Sequence, residues 1–188
     1  MHELLKRYIS INTTLTNEQA DIVLAHFVST KTKRNTTLLQ QGNICDRLYF
    51  VNKGCIRVYY LNEQGQERTR YFAFEGSVGT SLAGFISGEP SFELIDTQED
   101  AELLYIQRAQ FFDLVDAIPA WKDFYCRLLE FGYIFNNKKM ESLITLNARQ
   151  RYELLLEQHP QIFQRISNKV IASYIDVSQE TLSRLKSQ

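Results

Sequence analysis

Four glycines, Gly42, Gly54, Gly65 and Gly76, stand 12, 11 and 11 residues apart, with short runs of β-branched and aromatic residues between them. That cadence is the turn spacing of an antiparallel sandwich or barrel. Leu48-Tyr-Phe-Val51 runs into Asn52-Lys53-Gly54, and Ile56–Leu61 follows. Asn62-Glu-Gln-Gly65 is a hairpin signal, and Arg68–Phe74 is the returning strand. Within Ile56–Leu61, the apolar Ile56, Val58 and Tyr60 share one face and Arg57 and Tyr59 the other. A last strand is expected over Ala101–Gln107. Glycine suits such turns because it takes positive φ without steric cost. These glycines need be nothing more than turns, whether or not the domain holds a ligand.

The stretch Leu39-Gln-Gln-Gly42-Asn-Ile-Cys-Asp46-Arg-Leu-Tyr-Phe50-Val-Asn-Lys-Gly54-Cys-Ile-Arg57-Val58 resembles the opening strands of the cyclic-nucleotide-binding fold. That family shows a Gly, an acidic residue, a Tyr-Phe-Ile/Val run, a second Gly and then a strand. The resemblance implies an antiparallel jelly roll flanked by helices.

From Pro119 to about Leu146 the chain holds no further proline and only Gly132 as a helix breaker. Pro119 suits a first helical position, where its missing N–H costs nothing. Phe124, Leu128, Phe131 and Phe135 recur at steps of 4, 3 and 4, a heptad-like apolar stripe, and the next seam positions, Lys138 and Ser142, are polar. Two readings stay open on the residues alone. The stripe joins two copies of the chain, or it packs on the chain's own β domain.

The C-terminal run Asn168-Lys-Val-Ile-Ala-Ser-Tyr-Ile-Asp-Val-Ser-Gln-Glu-Thr-Leu-Ser-Arg-Leu-Lys186 has the pattern of a helix-turn-helix. With Asn168 as position one, the five positions that must be apolar are Ile171, Ile175, Val177, Leu182 and Leu185, and the small residue at the helix crossing is Ala172. The turn position, usually glycine, is Asp176, which tolerates a left-handed backbone better than most residues. Ser178 is the expected N-cap of the second helix. Gln179, Glu180, Ser183 and Arg184 take positions that can face outward, and Gln, Glu and Arg suit adenine, cytosine N4 and guanine O6/N7 respectively. Ser178-Gln-Glu-Thr-Leu-Ser-Arg184 resembles the recognition helix of the Crp/Fnr regulators, a Ser-Arg-Glu-Thr-Val-Gly-Arg-like string. Glu180 and Arg184 match its main base-reading positions, while Gln179 replaces an arginine. Lys169, at the start of the first helix, is expected on phosphate. Between Arg165 and Gln188 four basic residues oppose two acidic ones, so one copy is only weakly basic and the resemblance to a family of dimers gains weight. The β wing that often follows in that family is expected to be absent, or to precede Asn168 within Gln161–Ser167.

In the cyclic-nucleotide sensors of this family an Arg-Ser pair after a Gly-Glu pair holds the phosphate. Here no Lys or Arg lies between Arg70 and Arg108, while seven Asp or Glu do, and Gly88-Glu89 is followed by Pro90-Ser91-Phe92. Ser91, Ser81 and the backbone near Gly76 and Gly79 could donate to a ligand, but none neutralises a phosphate. The expectation is a retained fold without a cyclic AMP response, the Gly76–Ser87 loop serving an uncharged ligand or a structural role. Three cysteines fall short of an iron–sulfur set, and no histidine between His26 and His159 offers a haem ligand, so no cofactor and no metal are expected.

Clustered histidines, a catalytic triad and a phosphate loop are all missing, which argues against an enzyme and leaves no catalytic residue to name. The N-terminus mixes charge into its apolar positions, unlike a secretory signal. Unpaired cysteines fit a reducing cytoplasm. The expected fold class is α+β: an antiparallel β jelly roll over residues 1–118, a dimerisation helix over 119–146 and a helix-turn-helix DNA-binding domain over 147–188. The resemblance implies as partners a second copy of the chain, met through the Phe124, Leu128, Phe131 and Phe135 stripe because that family dimerises through a long helix in this place, double-stranded DNA with a palindromic operator and RNA polymerase, with no membrane. A rival reading keeps the fold as a small-molecule-binding module whose helix-turn-helix contacts protein.

Overall fold

The structure, a computed structural model, describes residues 3–187. The expected α+β architecture is present, with antiparallel sheets followed by C-terminal helices. Two short helices lead, α1 (Glu3–Asn12) and α2 (Asn17–Ala25). Thr16 and Gln19 open α2 with reciprocal side-chain caps on each other's backbone N–H. Eight strands follow: β1 (Val28–Thr32), β2 (Thr37–Leu39), β3 (Arg47–Lys53), β4 (Ile56–Leu61), β5 (Glu67–Ala73), β6 (Val78–Gly79), β7 (Leu94–Thr97) and β8 (Ala101–Gln107), with α3 (Leu82–Ser87) between β6 and β7. They form two four-stranded sheets, ordered β1-β8-β3-β6 and β2-β7-β4-β5. Pairs β1–β8, β3–β8, β3–β6 and β2–β7 run antiparallel.

All four spaced glycines adopt positive φ. Gly54 shows why one of them is irreplaceable: at φ +93° an added Cβ would lie 2.8 Å from Asp100 O and 2.9 Å from Ala101 Cβ, at the start of β8. The β4 reading needs one correction. Ile56 and Val58 are fully buried, but so is Arg57, while Tyr60 is exposed. The strand is covered on both faces at its start, and a buried cation there demands a partner.

The remaining helices are α4 (Arg108–Ala117), α5 (Pro119–Thr145), α6 (Ala148–Gln158), α7 (Ile162–Arg165), α8 (Asn168–Tyr174) and α9 (Gln179–Lys186). The molecule divides into two compact units, Met1–Val58 with Phe72–Gly132, and Tyr59–Tyr71 with Tyr133–Gln188. The long helix is thus shared between units at Gly132 rather than forming a segment of its own, and the outer part of the β4–β5 hairpin belongs with the C-terminal helices.

In the first unit, Trp121 and Phe124 stack at 4.5 Å, and Phe111 meets Trp121 at 5.4 Å and Phe85 at 5.4 Å. Tyr8 of α1 completes the cluster against Phe124 and Phe50. This decides between the two readings of the α5 stripe for half of its members. Phe124 and Leu128 are buried within the single chain and are unavailable to a partner. Phe135, in the second unit, packs edge-on against Tyr71 at 5.0 Å. Only Phe131 is exposed. The opposite face of α5 carries a second stripe at steps of 7 and 4, Tyr133, Met140 and Ile144, exposed by 71%, 55% and 76%, with Ile134 beside it.

Candidate nucleic-acid interface

The helix-turn-helix is assembled locally. Ser167 caps α8 by accepting from Val170 N, and Ser178 caps α9 by accepting from Thr181 N at 3.2 Å. Between them Asp176 adopts φ +54°, the left-handed turn that its position requires, and Val177 N–H donates to Ala172 O at 3.0 Å. Ile171, Ala172, Ile175 and Leu182 are buried, and Val177 and Leu185 are half-buried. Small Ala172 leaves room for the close passage of α9. Val170 and Tyr174 are also buried, and the motif pattern did not reveal them. The Gln161–Ser167 segment is helical, with α7 in place of a strand, so the expectation of an earlier wing does not hold there.

The outward residues of α9 fall where the pattern puts them. Ser178, Gln179, Glu180, Ser183 and Arg184 are all exposed. The Ser178 hydroxyl, then Glu180's own N–H, hold the Glu180 carboxyl below its usual range, and Arg184 one helical turn on adds a smaller push. This face is exposed and aimed away from the helix-turn-helix core. Lys169 is exposed too, but it is committed to Glu67 of the hairpin at 3.4 Å. Arg68 of the same hairpin pairs with Asp176 at 3.1 Å, and Thr69 shares a 2.6 Å hydroxyl bond with Ser173. Three consecutive hairpin residues therefore clasp α8 and its turn, which a motif scan confined to residues 168–186 does not detect.

The β-roll residues named as a ligand pocket separate into two groups. Ser81 and Ser91 are buried and meet at 2.8 Å between hydroxyls. Ser81 donates its proton to Glu93 Oε2 at 2.6 Å, so the single Ser91 proton is shared between Ser81 Oγ and Glu93 O at 3.2 Å, while Ser91 Oγ accepts from Glu93 N at 3.0 Å. Gly76 instead donates to Val51 O, and a Cβ on Gly79 would collide with the Ile56 side chain. These two are turn and packing glycines, set apart from the serine pair. Arg57 is the cation that the count between Arg70 and Arg108 overlooked. It enters from β4 and grips Asp96 with two hydrogen bonds, Nε to Oδ1 at 3.0 Å and Nη2 to Oδ2. Gln98 adds a third bond to Asp96, at 2.6 Å. Alternation placed Arg57 on an outer face, so its inward role had no sequence signal beyond a charge in an apolar strand.

With this geometry in view, residues 30–117 match the family described as Cyclic nucleotide-binding domain. Over 176 residues the chain is 26% identical to the cyclic AMP receptor protein of Thermus thermophilus, covering 91% of this chain and 81% of that one. Among solved structures it resembles FixK2 from Bradyrhizobium japonicum, with a TM-score of 0.76, 17% identity and coverage of 86% and 83% of the two chains. It also resembles a transcriptional regulator assigned to the Crp/Fnr family from Eubacterium rectale, with a TM-score of 0.74, 19% identity and coverage of 95% and 85%. The matched residues thus carry a domain of the cyclic-nucleotide-binding type, and helices follow it to the C-terminus. Across most of its length the chain shares the fold of these solved structures, one of them a regulator assigned to the Crp/Fnr family. Among the described residues no helix is long and apolar enough to cross a membrane.

Proposed function

We propose that this chain is a DNA-binding transcription regulator that works as a homodimer in the cytoplasm and does not respond to cyclic AMP. One observation carries the DNA reading: α9 buries Leu182 and leaves Gln179, Glu180, Ser183 and Arg184 exposed on a capped helix-turn-helix. Arg184 is the expected guanine reader, Glu180 its orienting neighbour or a cytosine acceptor, and Ser178 and Lys169 the phosphate contacts. Ser81 and Ser91 spend their hydroxyls on each other and on Glu93, and Arg57 spends its guanidinium on Asp96. That supports insensitivity to an anionic nucleotide. A second copy is expected on the Tyr133–Met140–Ile144 stripe, because Phe124 and Leu128 are already covered. RNA polymerase is a partner if the protein activates.

Selection of bound DNA from a random pool tests the reading. The expected product is a palindrome with half-sites about one helical turn, roughly 10 base pairs, apart. Recovery of no preferred sequence, with a protein interaction insensitive to salt, would move the helix-turn-helix to a protein-contact role. Calorimetry with cyclic AMP is expected to show no binding at micromolar concentration, and a low-micromolar dissociation constant would overturn that part.

A further inference from the structure

The second unit contains a cavity of about 640 Å³ between the last third of α5, α6 and the C-terminal end of α8. Its apolar lining is Phe135 from α5, Leu146 just past that helix, Leu154 and Leu155 from α6, and Ile175 just past α8. One end is cationic. Lys139 Nζ donates to Tyr174 O and lies 3.3 Å from the centroid of the Tyr174 ring. Arg151 donates through Nε to Ile175 O at 2.8 Å, through Nη1 to Leu146 O at 2.6 Å and through Nη2 to Asp176 O at 3.3 Å. The two cations thus converge on consecutive carbonyls at the end of α8, the first helix of the helix-turn-helix.

The charge at this end is out of balance. Lys138, Lys139 and Arg151 line the cavity against a single acid, Glu141. Lys139 and Arg151 are held by neutral carbonyls and a ring, and neither forms an ion pair among the described residues. Burial, then the Arg151 charge, push the Lys139 ammonium down to about 8, with Asp176 offsetting part of that. Burial also lowers His159, which favours its neutral form. A cavity with a cationic end and a leucine-lined body has the polarity of a molecule with an anionic head and an apolar tail. Its size falls within the usual range for small-molecule sites, about 300–1,000 Å³.

We propose that this cavity binds an amphipathic carboxylate of the medium-chain fatty-acid class, its head on Lys139 and Arg151 and its chain along Leu154 and Leu155. A carboxylate there competes with the Tyr174 and Ile175 carbonyls for the same donors. Binding therefore acts on the end of α8 and the turn that follows it. The binding claim is independent of the DNA reading above; only its coupling to α8 rests on that reading.

Calorimetry on the full chain with butyrate, octanoate and dodecanoate, and with octanol as the neutral control, tests the site. Affinity is expected to rise with chain length by about fourfold per methylene that the cavity buries. Octanol is expected to bind about tenfold or more weakly than octanoate. Lys139→Met should weaken octanoate by about tenfold and leave octanol unchanged. Leu154→Trp, which fills the body of the cavity, should remove both, and circular dichroism reports whether each variant is folded. Absence of octanoate and dodecanoate binding at millimolar concentration overturns the proposal, as does binding that survives Leu154→Trp in the folded protein. Equal affinity for octanol and octanoate overturns the assignment of the head. Titrating dodecanoate into the complex with selected DNA reads the coupling: a shifted DNA affinity supports it, and ligand binding without a shift removes the coupling while leaving the site.

Discussion

The inner cluster of the β-roll and the outer face of α9 are made from the same side chains, put to opposite uses. In the first, Ser81, Ser91, Glu93 and Arg57 are buried. In the second, Ser178, Ser183, Glu180 and Arg184 are exposed. Inside, each polar group whose bonds are described above is turned on a neighbour, because an unsatisfied donor or charge in a packed interior costs about 1–3 kcal/mol or more. On α9, Ser178 closes the helix and the remaining polar atoms face water. A serine or an arginine is therefore not a binding residue by identity. It becomes one where the fold leaves its hydrogen-bonding capacity unspent. By this criterion the recognition proposed above is expected on α9, and a structural role is expected for the β-roll cluster.

The largest expected effect tests the structural half of this contrast. Asp96→Leu strips a buried guanidinium of its bidentate carboxylate and should cost about 3–5 kcal/mol in chemical denaturation. Adding Arg57→Met should restore most of that loss, since a buried pair exchanged for apolar groups is often close to neutral. A double variant as unstable as the single one would mean that Arg57 and Asp96 serve more than each other.

That pair also marks where sequence reading stopped. The strand Ile56–Leu61, the strand Ala101–Gln107 and the helix start at Pro119 were legible, because alternation, turn glycines and a proline at the first helical position are local signals. Capping by Ser178 and the left-handed Asp176 were legible for the same reason. Arg57 was not, because nothing local says that a cation in a strand points at an aspartate 39 positions on. The α5 seam failed differently. The helix carries two apolar stripes on opposite faces, and period alone cannot say which turns inward. The bulkier one, with Phe124 and Leu128, was taken by Trp121, Phe111 and Tyr8 of its own unit.

Arg184→Ala tests the recognition half. It should cost about 1–3 kcal/mol on the selected site and relax preference at one base pair per half-site, while leaving stability unchanged. Titrations on the selected site and on single-base variants measure this. Equal weakening on every sequence would make Arg184 a phosphate contact and remove direct readout from this helix.

A smaller effect lies between these extremes, at a cation that is neither fully paired nor free. Lys139 is pushed down to about 8 from its ordinary 10.5, so above pH 8 the folded chain has released a proton that the unfolded chain still binds. Stability should therefore rise between pH 8 and 10 by this group, on the order of 1 kcal/mol after allowing for its partial exposure. Tyr174, pushed up to about 12, acts in the opposite sense: above pH 10 the unfolded tyrosine loses its proton first and stability falls. Denaturation across pH 7 to 11 should show a shallow maximum near pH 10, following the two shifts above. Lys139→Met should abolish the rise and keep the fall. An unchanged rise in that variant would assign it to another group.

The smallest expected effect concerns Lys169, the proposed DNA contact whose charge is already paired within its own unit. Its exposed ammonium sits 3.4 Å from Glu67, and surface pairs of this kind are worth only about 0–1 kcal/mol, so DNA phosphate can outbid the carboxylate at little cost. Lys169→Ala should then weaken all sequences alike and reduce the salt slope of binding by about 0.9 per subunit, one phosphate's worth. Glu67→Gln should act in the opposite direction, raising affinity slightly by releasing the lysine, with no change in base preference. The two variants together separate a shared lysine from a captive one. If Lys169→Ala leaves the salt slope unchanged and Glu67→Gln steepens it, the hairpin holds the lysine away from DNA in the wild-type complex. If both leave it unchanged, Lys169 belongs with the structural residues of the β-roll cluster rather than with the outer face of α9.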